Sequence, residues 1–414
     1  MAWSVAVAVA SAAAVACSAL VGVEDVRLRR TADGAAADSG KKPGNPENDG
    51  ATPGEAIVQV ALGYLHTCAR KGDGKVSCWG DNGAGQLGDS VPFDGGARAP
   101  ALVPQDVPGI DDAVQLASGV SHSCVVRRSG TVSCWGINTS GQLGGSVPRS
   151  SSPVDVTGIT TAVAITCGTS FTCAVLMGGT VSCWGANSSG QLGDGTKIAR
   201  PTAAPVSQLT GVISLAAAES HACAVVAGGA VKCWGRNADG QLGNGTTVDS
   251  LVPTPLGALA GVAQIAAASR FTCARLTSGQ LNCWGANADG QLGTGTSNLA
   301  PNPTPAITNV ADAIAIGVGY NHACAVRRTG DVVCWGAAGS GQVGSGQVPA
   351  DASVPSPTAV VGLTGALDVS TGGNHSCATT GTGAVLCWGN NVFGQLGDGT
   401  TQSAYTAVSV TTVP

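Results

Sequence analysis

The chain has 414 residues, of which 62 are glycine and only 11% are charged, against about 25% charged in an ordinary globular protein. A formal net charge of −5 leaves no broad cationic surface for a phosphate backbone, which argues against nucleic acid as a partner. Sixteen cysteines would be kept reduced in a cytosolic protein and paired in an exported one, so their spacing has to decide.

The first segment, residues 1–23, reads as an export signal. Its apolar stretch runs from Val5 to Ala16 and is too short and too rich in alanine for a transmembrane anchor. No lysine or arginine precedes it, so either the true start lies upstream of Met1 or the signal is atypical. Cys17 follows Ala14-Val15-Ala16, which resembles a bacterial lipoprotein box with a weak first position. Diacylation of Cys17 would tether the mature protein to a membrane; the alternative is a cleaved signal with Cys17 discarded or unpaired. Residues 24–54 mix glycine, alanine, proline, aspartate and lysine without hydrophobic periodicity, the signature of a solvated linker.

From residue 55 to 414 the chain repeats one unit. Cys-Trp-Gly recurs at Cys78, Cys134, Cys183, Cys233, Cys283, Cys334 and Cys387, and a G-Q-L-G or near copy follows each, from Gly85 to Gly394. Ten residues before each of these cysteines stands another, at Cys68, Cys124, Cys173, Cys223, Cys273, Cys324 and Cys377. Between them lie two short extended runs around a glycine-rich turn, which is a β-hairpin pattern. Cys68 and Cys78 are equidistant from Asp73 and so face each other across the hairpin, within disulfide reach. An apolar run preceded by prolines (Ala203 to Leu209) and a second run (Val212 to Ala218) complete four strands with the hairpin. Four strands in about fifty residues make one propeller blade. The first unit lacks the proline-preceded strand and the chain ends with a spare one, Ala404 to Val410. The expectation is an all-β, seven-bladed propeller closed by that C-terminal strand completing the first blade.

The repeated positions carry candidate chemistry that packing accounts for better. His66, His122, His221, His322 and His375 precede the first cysteine of a pair by two residues, but Phe171 and Phe271 take that place elsewhere and cannot ligate a metal. The seven tryptophans read as inter-blade packing. The G-Q-L-G glycines read as positive-φ or close-approach positions rather than a phosphate loop, since no helix follows. Cys167 aligns with Ser118, Ala217 and Ala267 and reads as a small buried residue. The turns at Asp194, Asn244 and Asp398 carry too few carboxylates for calcium. Longer loops at 89–104 and 345–357 carry Phe93, Asp94, Arg98 and Asp351, the expected contact residues.

The unit G-x-x-H-[ST]-x-C-…-G-x-V-x-C-W-G-x-N-x-x-G-Q-L-G resembles the repeat of the regulator of chromosome condensation, in seven copies over residues 55–414. The resemblance implies a seven-bladed propeller and implies function far less. That family includes a nuclear guanine-nucleotide exchange factor, regulatory scaffolds and a secreted bacterial inhibitor of β-lactamases; the secreted setting fits paired cysteines best. None of their contact residues falls in the shared motif.

The expected function is a non-enzymatic extracytoplasmic interaction module, exported to a bacterial envelope or secreted, monomeric, without metal or cofactor. Its expected partner is a protein, with a glycan as the other option. The rival expectations are a structural or adhesive envelope protein, a secreted enzyme inhibitor and, last, an enzyme or exchange factor.

Overall fold

The computed structural model describes residues 56–94, 98–257, 259–349 and 351–411; the export segment, Cys17 and the linker lie outside the described residues. Among the described residues, twenty-seven strands make up the regular structure and no helix occurs. They form seven separate antiparallel sheets, each a blade. Blade 1 comprises Ile57–Leu62, His66–Lys71, Val76–Gly80 and Ala101–Asp106, paired in that order from the central channel outward.

Strand pairing corrects the sequence reading of where a blade begins. The run Ala203 to Leu209 reads as the opening strand of a blade, yet the strand observed there is Arg200–Pro205, whose Ala204 pairs with Cys183, so it is the outer strand of the blade before. With that shift, Ala101–Asp106 completes the first blade through Cys78 and Gln105. The C-terminal strand Ala404–Ser409 does not complete the first blade; it pairs inside the seventh, Val408 opposite Cys387. The reason is local. The loop after each Cys-Trp-Gly strand turns the chain straight back, so the next extended segment lies antiparallel beside the strand just left. Blade 5 is the variant, because Pro301, Pro303 and Pro305 interrupt its outer edge. That edge keeps one bridge, Gly285 to Ala300, and the bond from Thr304 N to the Cys283 carbonyl at 2.9 Å.

Every inner strand carries a register shift against its neighbour; in blade 1 it falls between Ile57 and Gln59. The shift aims Gln59 at the next blade, where its amide donates to the Leu116 carbonyl at 2.9 Å and accepts from the Leu116 amide at 3.0 Å. Between blades the core is built from one repeated contact. Cys68, Cys78 and Leu87 of blade 1 pack on Leu116, Val125 and Trp135 of blade 2. Cys377, Cys387 and Leu396 of blade 7 pack in the same way on Val60, Ala69 and Trp79 of blade 1. The ring therefore closes through a side-chain joint of the same kind as the contact between blades 1 and 2.

Candidate functional site

Seven disulfides close between facing hairpin residues, Cys68–Cys78, Cys124–Cys134, Cys173–Cys183, Cys223–Cys233, Cys273–Cys283, Cys324–Cys334 and Cys377–Cys387. All seven tryptophans of the motif are fully buried. Each indole N–H donates to the glutamine carbonyl of the preceding blade's G-Q-L-G loop, as Trp135 does to Gln86 at 2.9 Å and Trp79 to Gln395 at 3.0 Å. The histidines serve the same joints. His322 Nε2 lies 2.8 Å from Ser376 Oγ, whose hydroxyl donates to the Gln342 carbonyl at 3.1 Å. The hydroxyl proton is thus committed, so Nε2 is the protonated ring nitrogen and donates. Burial pushes His66, His221, His322 and His375 down to about 3 and His122 to about 4, so all five are neutral. His122, Cys124 and Cys167 come within 4.8 Å of one another, but Cys124 is bonded to Cys134 and His122 to Thr172. Burial pushes the Cys167 thiol up to about 12, which removes its nucleophilic form.

One face of the propeller carries the turns between first and second strands and the loops between third and outer strands. Those loops are held from below. Asn237, fully buried, donates from Nδ2 to the Thr246 carbonyl at 3.0 Å and the Val248 carbonyl at 3.1 Å, while its Oδ1 accepts from Leu242 N at 2.9 Å. Asn187 and Asn287 act alike. The turn at Asp194 is closed by its own threonine: Asp194 Oδ1 accepts from Thr196 N at 2.9 Å and Thr196 Oγ1 at 2.7 Å. Asn244 and Asp398 repeat this with Thr246 and Thr400. Burial raises the Asp194 carboxyl, but bonds from Thr196, Arg200 and Asn187 outweigh it and hold the group below its ordinary value. Loops held in this way are rigid mounts with outward side chains, Ile198 and Val248 among them.

At the centre of this face the channel mouth opens into a cavity of about 80 Å³. On a constant turn framework one position varies from blade to blade: Tyr64, Val120, Thr169, Glu219, Ser269, Tyr320 and Gly373. Tyr64 and Tyr320 meet edge to face, with ring centroids 5.4 Å apart. They meet above blade 7 because Gly373 has no side chain; a Cβ there would stand 2.7 Å from Tyr64 Cδ2. Beside Glu219 lies a loose charge cluster: Arg236 is 3.7 Å from Glu219 and 3.5 Å from Asp239, and Arg270 is 3.7 Å from Asp239.

A family model for the RCC1-like domain matches residues 23–367, and one for the RCC1 repeat matches residues 367–395. The chain belongs to the RCC1-like domain family. A rat relative, the probable E3 ubiquitin-protein ligase HERC4, is 42% identical over 88 residues, which is 21% of this chain and 8% of the ligase. The chain thus spans a small fraction of that relative's length. Human WBSCR16 superposes with a TM-score of 0.72 at 24% identity, covering 82% of this chain and 94% of that one. Prp20p of Saccharomyces cerevisiae, described with its binding to Gsp1p and histones, gives 0.71 at 20% identity, covering 87% and 88%. At such identities the two structures speak for the fold alone.

In this RCC1-like domain the expected contact residues lie on the loop-bearing face but apart from its centre. Phe93 is clasped between two guanidinium groups, Arg98 at 4.9 Å and Arg149 of the next blade at 3.9 Å from its ring centroid. Arg98 also pairs with Asp89 and donates to the Val91 carbonyl at 2.8 Å, so the loop is locked onto its own blade. Asp94 and Asp351 are exposed at the periphery, in the blade 1 and blade 6 loops. The channel-mouth residues escaped the sequence reading. Their signal was the changing residue after a repeated glycine or alanine, and it points inward only once the ring is closed.

Proposed function

We propose that the chain is a non-enzymatic protein-interaction module whose partner docks on the loop-bearing face, around the channel mouth. One observation carries this reading: the repeated positions are consumed by the joints between blades, while a position that changes in every blade but two lines the channel mouth on this face. The histidines are neutral and bonded inside joints, and Cys167 is buried and protonated, so none of these groups serves as a base or nucleophile. A rigid scaffold with variable surface residues suits recognition of a folded surface. Prp20p, which shares the fold, is described as binding proteins, and that supports the class of partner without naming one.

Seven disulfides support a site of action in an oxidising compartment, either a cell envelope or the extracellular medium. A lipid anchor at Cys17 belongs to the same proposal, and intact mass of protein from its native host tests it.

The face is tested by substituting Arg270→Glu and Phe93→Ala on it and Met177→Asp on the opposite face, where Met177 is 70% exposed. A partner found by photo-crosslinking from the loop-bearing face is purified and titrated against each variant. Binding should fall with the first two and survive the third. Loss with Met177→Asp alone, or turnover of a substrate by the purified chain, would end this reading.

A further inference from the structure

The cavity at the channel mouth has a wall of unequal halves. Tyr64 and Tyr320 bring two aromatic rings from blades 1 and 6 over the gap left by Gly373 of blade 7. In a ring of seven blades, blade 4 stands across from blade 7, and it supplies Glu219, the one charged residue among the described residues lining the cavity. The rest of the wall is small or hydroxylated. It includes Thr371, whose Oγ1 is buried against Gly317. At about 80 Å³ the space is several times the ~10–15 Å³ that one water occupies.

We infer that this cavity binds a primary alkylammonium group, such as the end of a lysine side chain presented by the docking partner. The inference rests on the proposed protein-interaction role and assigns the centre of its surface. The chemistry comes from two features of the wall. Tyrosine ring faces carry negative quadrupole potential and attract a cation held against them. Glu219 offers a carboxylate for a charge-assisted bond, and Ser269 Oγ already donates to it at 3.5 Å, steadying its position.

Arg236 is the obvious competitor for Glu219. It comes no nearer than 3.7 Å, which is an ion pair without a hydrogen bond, and at 3.5 Å it is also drawn to Asp239. The guanidinium stands outside the cavity wall, so Glu219 keeps its acceptor positions toward the cavity. An anion entering the same space would meet that carboxylate, with no cation among the described lining residues to receive it.

The test uses the full chain, methyl-labelled for NMR, titrated with n-butylammonium and, separately, with 1-butanol, which differs in the head group. Butylammonium should bind saturably in the millimolar range and move the methyl signals of Thr169 and Thr371. Butanol should bind at least about tenfold more weakly, as expected when a charge-assisted hydrogen bond is absent. Glu219→Gln should bring butylammonium down to the butanol level, and Tyr320→Ala should weaken it at an unchanged melting temperature. Equal binding of the two probes, an unaffected Glu219→Gln, or shifts located elsewhere would overturn the inference. Such a result would leave the docking face standing if a purified partner still responded to Arg270→Glu. Loss of that response with butylammonium still bound would sink the docking reading instead.

Discussion

Where a blade presents histidine two residues before its first cysteine, the next blade presents serine or threonine one residue before its own. His66 meets Ser123, His122 meets Thr172, His221 meets Thr272, His322 meets Ser376 and His375 meets Thr67, all at 2.8–3.0 Å. Where the residue is Phe171 or Phe271, the facing position is Ala222 or Ala323. A joint is therefore either a hydrogen-bonded pair or an apolar one, and a mixed joint leaves a buried group unmet. Ser376→Ala alone should cost about 1–3 kcal/mol by orphaning the His322 N–H. Adding His322→Phe should recover most of that loss, since the pair then copies Phe171 and Ala222. Denaturant unfolding of the two single variants and the double variant measures this, and an additive cycle would refute the pairing. The same histidines set an acid limit. Their folded pKa values of about 3–4 lie below the ordinary 6.5, so stability is full above pH 6.5 and falls as pH drops toward 3. The paired substitution should make that fall shallower. The pairing was present in the sequence, but only by comparing each repeat with the next; read within one repeat, the position shows packing alone.

At the scale of single elements, the disulfide hairpin was legible because its determinants are local: two cysteines, a turn, and alternation between them. The G-Q-L-G loop was legible in part. Its glycines do require special backbone, as Gly397 shows with φ 69° and a would-be Cβ 2.6 Å from Trp79 Nε1. What the pattern did not disclose is the buried asparagine that holds the loop from its far end, since its acceptors are backbone carbonyls with no signature of their own. Asn237→Ala removes bonds to Thr246 and Val248 and the acceptor for Leu242 N at once. It should cost about 1–3 kcal/mol and, more tellingly, raise amide exchange at Leu242 while the Cys223–Cys233 hairpin stays protected. Unchanged exchange at that amide would mean the loop is held by its turn alone. Blade 6 has Ala338 at this position, so its loop lacks that side-chain hold, and Asp351 sits in it. That loop is a less rigid contact point than the channel mouth, which is one reason to move the expected site inward.

For the whole molecule, the number of blades could be read from the period, but the phase could not. A period says how often a unit recurs and nothing about where it starts; that depends on which strands bond, and short connections decided it in favour of blades contiguous in sequence. With no strand exchanged between first and last blades, the seam between blades 7 and 1 depends on the same side-chain contacts as every other joint. It has the indole bond from Trp79 to Gln395 and the His375–Thr67 pair. It lacks the inner-strand staple, as do the joints after blades 3 and 6, which have Ala164 and Ala315 at that position. Gln59 ties blade 1 to Leu116, and Gln264 ties blade 5 to the Ile316 carbonyl at 3.3 Å, but blade 7 has Asp368 there, bonded to its own Val369 amide at 2.9 Å. Asp368 lies on the inner strand of blade 7 with an exposed side chain, and the protein packed around it pushes its carboxyl up to about 6 from an ordinary 3.8, against the bond from Val369 N. The sign follows. The unfolded chain gives up this proton near pH 3.8 and the folded chain only near 6, so stability from this group is present below that window and is lost as pH rises through it. Asp368→Gln removes the charge and places an amide where the neighbouring equivalence sets Val60 as its partner. It should stabilise the ring at neutral pH, by less than the full shift would give because solvent screens an exposed group, and leave stability nearly unchanged at pH 4, apart from the new bond. Asp368→Asn, too short for the staple, should give only the part due to charge. Melting curves of both variants between pH 4 and 8 separate the two contributions. Equal gains from the two would mean that the seam needs no amide tie, and no gain from either would mean that blade 7 already meets blade 1 as firmly as the other blades meet their neighbours.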